Sequence, residues 1–322
     1  MIGKRQLLTS AAGLLLAAAV AGTAAAQTFP AGPIKIIVPR APGGGSDNIT
    51  RMLAPALEKK LGTPIIIENR PDATAVLGAE LVAKSKPDGY TLYLSDNSFY
   101  QNPAVLDSLP YDTVKDFTAV TMLAQGPVLL IVHPSVPAKT LGELIQLAKK
   151  SKLTFAHGGI GASTHLVGIM LNLKAGIEVT HVPFKSSGPA LNALLGNHVT
   201  MQFGGINSSK PLVEQGKVRA IAVTGDRRDP SMPEVPTFQE SGVTGADVMS
   251  VWGLHAPAGT PIAVRRTIRD AVEAVMRDPE MTAKLAERGY HVLASTPEEH
   301  QVQTEAIVTQ WLEVGRKVNL KE

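Results

Sequence analysis

The sequence has no cysteine among its 322 residues. Disulfide bonds, thiolate nucleophiles, iron–sulfur clusters and cysteine-ligated zinc are therefore excluded. An excess of one charge is also lacking, since 31 basic and 28 acidic side chains leave a formal net charge of only +3. This balance provides no broad basic surface of the kind that nucleic-acid binding needs. The sequence thus argues against sulfur chemistry and against a nucleic-acid partner.

The N-terminal segment is typical of an export signal. Lys4 and Arg5 precede an apolar run at residues 14–21, and small residues follow it. A basic start, a short apolar stretch and a small-residue cleavage site characterise secretory signal peptides, whereas a membrane anchor needs about 20 apolar residues. We expect cleavage between Ala26 and Gln27 and a periplasmic mature chain without membrane insertion. An uncleaved membrane anchor is the alternative.

Of all 322 residues, 44% are hydrophobic, and after the N-terminal segment apolar runs alternate with segments of helical period. Short runs rich in valine and isoleucine followed by amphipathic segments indicate an α/β protein with largely parallel sheets. After a signal peptide at residues 1–26, one such series fills residues 27–128 and a second fills residues 129–244. The mostly helical residues 245–322 are expected to return to the first series. The sequence thus predicts a discontinuous first domain, a second domain and a hinged cleft between them.

Proline and capping residues predict where several helices begin. Thr260, Asp278 and Thr296 each precede a proline, and a glutamate stands three residues after Thr296 as in a capping box. Proline is favoured at the first helical position, and short polar side chains accept N–H groups at helix starts. Two earlier helices are expected to begin near Pro189 and Pro211.

Two glycine-rich loops, residues 42–47 and 157–164, each follow a predicted strand and open a predicted helix. Ser46 or Asp47 is expected to cap the first of these helices. The N–H groups and the dipole of a helix start attract an anion. If the loops face each other across a cleft, they suit a ligand with negative charge at both ends. A tight strand-to-helix turn is the alternative for each loop alone, and the first loop matches neither a Walker A nor a G-x-G-x-x-G motif.

Side chains near these loops are candidates for ligand contacts. Arg40 can clamp a carboxylate with two parallel hydrogen bonds, and a solvated loop arginine is the alternative. His157 and His165 lie at the second loop, but the eight histidines form no His-x-His or His-Glu-x-x-His pattern, so we expect no metal site. No Gly-x-Ser-x-Gly elbow or carboxylate pair at catalytic spacing is present, so we expect neither an enzyme nor a cofactor. The predicted ligand-binding residues are Arg40, Pro42, Gly43, Gly44, Gly45, Asp47, Thr74, Ser98, His157, Gly159, Gly161, Ala162, Ser163 and Gly204.

A series of short sequence blocks runs from Pro33 to Trp311. The blocks include Pro42-Gly43-Gly44 with Asp47, Glu68-Asn69-Arg70-Pro71, Pro87-Asp88-Gly89-Tyr90-Thr91-Leu92, Thr164-His165-Leu166, His181-Val182-Pro183-Phe184-Lys185 and Ala256-Pro257-Ala258-Gly259-Thr260-Pro261. Together they resemble the Bug or TctC-type periplasmic solute-binding proteins of tripartite tricarboxylate transporters. The resemblance implies a type II periplasmic binding fold, in which two α/β lobes are joined by a hinge with a ligand cleft between them. It also implies a monomer that captures a small organic acid, such as a dicarboxylate or an aromatic acid, for membrane permease subunits.

Departures from the family pattern fall mainly at the expected site. Arg40 stands where an aromatic residue is common, His157 and Ala162 stand where serine and threonine are usual, and Gly204 stands where aspartate is frequent. Residues 72–78 replace a glycine-rich run. If Arg40 and His157 face the cleft, they favour a highly charged or aromatic acid. Two other functions stay open: a periplasmic enzyme with a histidine as base, and a binding protein that reports to a sensor kinase.

Overall fold

The computed structural model describes residues 29–317, so the expected signal peptide lies outside the described residues. In chain order, the first part contains β1 (Ile34–Val38), α1 (Gly45–Leu61), β2 (Ile65–Asn69), α2 (Val76–Ala83), β3 (Thr91–Ser95), α3 (Asn97–Val105) and β4 (Phe117–Gly126). The middle part contains β5 (Val128–Val132), α4 (Leu141–Ala148), β6 (Thr154–His157), α5 (Ser163–Ala175), β7 (Thr180–Pro183), α6 (Ser187–Leu195), β8 (Met201–Gly205), α7 (Ile206–Glu214) and β9 (Arg219–Val223). The last part contains β10 (Ser250–Pro257), α8 (Ile262–Met276), α9 (Pro279–Glu287), β11 (His291–Val292) and α10 (Pro297–Lys317). None of these described helices combines the length and apolarity needed to span a membrane.

The strands form two mixed sheets. One sheet has the order β11-β4-β10-β3-β1-β2, and the other has the order β7-β6-β8-β5-β9. β1 pairs in parallel with β2 and β3, and β6 pairs in parallel with β7 and β8, but β10 and β5 run antiparallel to their neighbours. β11 is also antiparallel to β4, so among the described strand pairs four are parallel and five are antiparallel, and the expectation of largely parallel sheets is wrong. The parallel strands are joined by crossover helices, whereas β5 and β10 each follow a strand of the other sheet and are free to run antiparallel.

The chain passes between the two sheets twice. β4 ends at Gly126 and β5 begins at Val128, so Pro127 alone separates a strand of one sheet from a strand of the other. The return path runs from the end of β9 to the start of β10. The Val128 N–H donates to Thr224 Oγ1, and the Thr224 N–H donates to the carbonyl oxygen of Val128. This pair of hydrogen bonds ties the two crossings together.

Both sheets are covered on both faces. Ile36 and Ile37 are neighbours in β1 but pack into different apolar clusters, because side chains alternate across a strand. Leu129 and Leu130 of β5 divide between two clusters of the second sheet in the same way. All five residues of β5 are buried, and a strand covered on both faces has a continuous apolar sequence. Each sheet therefore has its own hydrophobic core.

Two of the three helix starts predicted for the last third of the chain are confirmed. Asp278 accepts two N–H groups of the turn that follows it, and Thr296 forms a reciprocal capping box with Glu299. The expectation at Thr260 is wrong, since its hydroxyl donates to the carbonyl oxygen of Pro257 and does not accept an N–H group of α8.

Candidate functional site

Five helices begin at one small cavity, which is lined by loops of both sheets. The N-cap residues Gly44, Asp96, Ala162, Ser186 and Gly205, which precede α1, α3, α5, α6 and α7, all line it. The cavity volume is about 50 Å³. Because one water needs roughly 10–15 Å³ of such space, the cavity holds a molecule of only a few non-hydrogen atoms. The lining residues are Arg40, Gly44, Gly45, Ser46, Asp96, Asn97, Gly158, Ala162, Ser163, Thr164, Ser186, Ser187, Gly205, Ser250 and Trp252.

Four of these five helix starts have no side-chain cap. At α3 the Asp96 carboxylate accepts the Ser98 N–H at 2.9 Å, whereas the N-cap residues of α1, α5, α6 and α7 make no such bond. The first N–H groups of a helix have no partner within the helix, and the helix dipole places about half a positive charge there. An anion is therefore the ligand that this convergence of helix starts attracts.

Ser186 adds a hydroxyl to the cavity wall. Its side chain is 1% exposed, and its Oγ has no hydrogen-bond partner among the described residues. A buried hydroxyl without a partner costs about 1–3 kcal/mol, so a ligand that supplies the partner explains its position. The sequence prediction missed Ser186, although consecutive serines after a strand are a signal for a helix start.

Asp47 holds the loop between β1 and α1. Gly43 has a φ of 86°, which favours glycine, and its N–H donates to Asp47 Oδ2. Asp47 also accepts hydrogen bonds from Arg51 and Asn69. Burial opposes ionisation, but these three hydrogen bonds outweigh it and lower the pKa of the Asp47 carboxyl. The Asp47 carboxylate thus binds groups of its own loop and its neighbours. The expectation that Ser46 or Asp47 caps α1 is wrong, because Gly44 is the N-cap residue.

Hydrogen bonds join the loops of the two sheets around the cavity. The Ile160 N–H donates to the carbonyl oxygen of Ala73 at 2.9 Å, and Ser98 Oγ donates to the carbonyl oxygen of Ile160 at 3.0 Å. On another side, Ser163 Oγ lies 2.7 Å from Ser250 Oγ. The loop between β6 and α5 is therefore held directly by elements of the first sheet.

Arg40 is engaged in an ion pair at the cavity wall. Its Nε lies 2.6 Å from Asp96 Oδ2, and the guanidinium also donates to Ser98 Oγ and to the carbonyl oxygen of Gly158. Burial alone lowers the pKa of Arg40, but the charge of Asp96 and its hydrogen bond outweigh burial and raise it. The guanidinium is therefore neither a free clamp for a carboxylate nor a solvated loop arginine. Asp96 was not among the residues predicted from the sequence.

His157 points away from the cavity. Its side chain is fully buried and shares a face of β6 with Phe155, because alternate residues of a strand point the same way. Its Nδ1 lies 2.9 Å from the carbonyl oxygen of Gly159, and its ring stacks on that of His165 with centroids 4.5 Å apart. Burial lowers the pKa of His157 to about 2, so the ring is neutral. The imidazole therefore offers no face to a ligand in the cavity.

The structure divides the predicted ligand-binding residues into two groups. Those at the cavity wall are Arg40, Gly44, Gly45, Ala162 and Ser163. Those behind it are Pro42, Gly43, Asp47, Thr74, Ser98, His157, Gly159, Gly161 and Gly204. Thr74 Oγ1 donates to Asp72 Oδ1 at 2.8 Å, and Gly204 pairs with Leu129 inside the sheet. Their contacts shape the loops that carry the wall.

Comparisons with known proteins identify a family and several structures with the same fold. The family model described as tripartite tricarboxylate transporter family receptor matches residues 49–320. BugT of Bordetella pertussis is 30% identical over 319 residues, 98% of this chain and 98% of that protein. MatC from Rhodopseudomonas palustris with bound malate has a TM-score of 0.85 and 32% identity, covering 89% of this chain and 100% of that one. Another R. palustris protein, with adipate, has a TM-score of 0.86 and 31% identity, covering 89% and 97%. The expected periplasmic binding fold is confirmed.

Proposed function

The chain belongs to the family of tripartite tricarboxylate transporter receptors, and on that premise we propose that it captures a short-chain carboxylate outside the cytoplasm for the permease of such a transporter. The observation that carries the proposal is the convergence of four helix starts without side-chain caps on one cavity. The charged residues of the lining, Arg40 and Asp96, neutralise each other. A carboxylate in this cavity meets N–H groups and hydroxyls in a wall without net charge.

The placement of the helix starts supports a short mono- or dicarboxylate. The cavity volume of about 50 Å³ accepts an acid of only a few non-hydrogen atoms as it stands, so a dicarboxylate requires the lobes to move apart. The start of α1 lies on the side of the first sheet, and the starts of α5, α6 and α7 lie on the side of the second, so each end of a dicarboxylate has donors. The ligands named for two structural neighbours, malate and adipate, are dicarboxylates. An aromatic acid is less well supported, because Arg40 is paired and His157 is buried.

The two sheets correspond to two lobes in this proposal. The lobe expected at residues 27–128 and 245–322 corresponds to the first sheet, and the lobe expected at residues 129–244 corresponds to the second, except that Val128 and Ala246 pack in the core of the second sheet. The hydrogen bonds that join the loops around the cavity must open for a ligand to enter. The crossings near Pro127 and Thr224, which are bonded to each other through the backbone, are the hinge about which the lobes turn.

Capture outside the cytoplasm requires export. The N-terminal pattern supports removal of residues 1–26 by signal peptidase and release of the mature chain into the periplasm. The intact mass of protein from a periplasmic extract tests this step, with a chain that begins at Gln27 as the expected result. A chain that begins at Met1 and stays in the membrane fraction contradicts it.

Isothermal titration calorimetry with acetate, succinate, malate, adipate, citrate and benzoate tests the proposed ligand class. We expect saturable binding of at least one short acid, weaker binding of benzoate, and no product by chromatography after prolonged incubation. Conversion of an acid to a product favours an enzyme. Absence of binding to every acid tested contradicts the proposal. Pull-down from membrane extracts with and without the bound acid distinguishes a permease partner from a sensor kinase.

A further inference from the structure

Three histidines from three separate elements meet behind the second glycine-rich loop. His157 ends β6, His165 lies in the first turn of α5, and His181 lies in β7. One ring nitrogen of each lies within 4.8 Å of the others. The ring centroids are 4.5 Å apart for His157 and His165, 5.1 Å for His165 and His181, and 5.4 Å for His157 and His181. Their sequence spacing belongs to no metal-binding motif, so the fold alone brings them together.

Two of the ring nitrogens already have the separation of ligands on one metal ion. His157 Nε2 and His181 Nδ1 are 3.2 Å apart. Two nitrogens bound to zinc at about 2.0–2.1 Å with tetrahedral angles lie about 3.3–3.4 Å from each other. The third ring, of His165, receives the Gly161 N–H at Nδ1 over 3.4 Å, which is long for such a bond. Its ligand nitrogen lies within 4.8 Å of the other two, so binding of one ion requires this ring to turn towards them.

The backbone orients His157 for metal binding. The carbonyl oxygen of Gly159 lies 2.9 Å from His157 Nδ1, closer than the Gly159 nitrogen, which lies 3.3 Å from the same atom. When a carbonyl accepts the Nδ1 proton, Nε2 becomes the nitrogen with the lone pair. Metal-bound histidines commonly donate their second N–H to a carbonyl or a carboxylate in this way.

Access and charge are compatible with a bound cation. His181 is half-buried, and β7 is the edge strand of its sheet, so an ion can enter from that edge. Arg40 is near enough to disfavour positive charge on His157, but its own charge is paired with Asp96. A water molecule or a small anion can fill the fourth position, as in other three-histidine sites.

We propose that His157, His165 and His181 form a binding site for a divalent transition-metal ion that prefers imidazole, such as zinc, copper or nickel. The site is separate from the carboxylate cavity, because no histidine is among the residues that line that cavity. The two sites are adjacent in the chain, since His157 directly precedes the cavity residue Gly158. A bound ion therefore stiffens the loop that leads to α5.

Calorimetry with zinc chloride on EDTA-treated protein without a polyhistidine tag tests the proposal. The expected result is one zinc ion per chain, and affinity more than about tenfold weaker in His181→Ala and His157→Ala. His198→Ala changes an exposed histidine outside the cluster and is expected to bind like the unmodified protein. Cobalt(II) provides a second readout, because a tetrahedral site gives it strong visible absorption that His181→Ala removes.

His157 is fully buried, so the half-buried His181 is the primary variant and circular dichroism checks the fold of both. Absence of zinc uptake, or uptake in His181→Ala equal to that of the unmodified protein, overturns the proposal. The same samples titrated with the carboxylates separate the two claims. A protein that binds zinc and no acid supports the metal site and contradicts the proposed function.

Discussion

Replacing Asp96 by asparagine removes the negative charge from the cavity wall and keeps the shape of the side chain. Asp96 Oδ1 accepts the Ser98 N–H at the start of α3, and asparagine is as favourable as aspartate at an N-cap, so the helix keeps its cap. Arg40, whose Nε lies 2.6 Å from Asp96 Oδ2, loses its counter-charge. The wall then carries a net positive charge that faces the ligand.

Two opposite effects follow from this change. Removing one partner of a buried ion pair destabilises a protein by about 3–5 kcal/mol, and we expect the upper end of this range because the oxygen that caps α3 leaves the asparagine NH2 group facing the Arg40 Nε–H. A bound carboxylate supplies a new partner for the guanidinium. A hydrogen bond to a charged group contributes about 1.5–3 kcal/mol, which corresponds to roughly 10- to 150-fold tighter binding.

Urea unfolding and calorimetry measure the two effects on the same preparation of Asp96→Asn. Arg40→Met is the matched variant, because it keeps much of the side-chain volume and leaves Asp96 as an unpaired negative charge. We expect tighter acid binding in Asp96→Asn and weaker binding in Arg40→Met. If Asp96→Asn binds the acid no more tightly than the unmodified protein, the reasoning that this pair faces the ligand is refuted.

Three further changes test other parts of the site and fold. Ser186→Ala removes the hydroxyl without a partner, so calorimetry should show binding about fivefold weaker while urea unfolding shows no loss of stability; unchanged affinity contradicts a role in binding. Gly45→Ala places a Cβ 2.8 Å from Trp252 Cζ2, so tryptophan emission should shift and acid binding should weaken; an unaltered spectrum with full affinity contradicts the tight packing. Burial lowers the pKa of His300 to about 3, so below pH 6.5 the unfolded chain binds a proton that the folded chain does not. This difference lowers the free energy of unfolding by about 2 kcal/mol between pH 6.5 and pH 5. In His300→Gln, urea unfolding at several pH values should show a smaller fall in this free energy. A fall as steep as in the unmodified protein contradicts the lowered pKa of His300.

Helix starts at the cavity were predictable only where the local sequence marks them. The glycine-rich loops before α1 and α5 follow apolar strands, and both helices begin there. The starts of α6 and α7 were expected near Pro189 and Pro211, but these helices begin at Ser187 and Ile206. Pro189 and Pro211 are the third and sixth residues of these helices, so neither proline marks the first helical position. Their contribution to the cavity wall was therefore missed.

Contacts between side chains that are distant in the chain could not be predicted from the sequence. Arg40 follows β1 and Asp96 follows β3, and the two residues meet because these strands pair in parallel, which brings their carboxyl ends to one edge of the sheet. The direction of His157 depends on which face of β6 receives α5. Strand alternation permits either face, and only the packing of the second sheet decides between them. The same packing places His181 beside His157.

The crystal structure of the protein with the tightest-binding acid of the calorimetric series tests the central claim most directly. We predict that carboxylate oxygens lie about 2.7–3.2 Å from backbone nitrogens at the starts of α1 and α5, which are those of Gly45, Ser46, Ser163 and Thr164. An acid bound elsewhere on the chain, or one that contacts the cavity without approaching any helix start, contradicts the account.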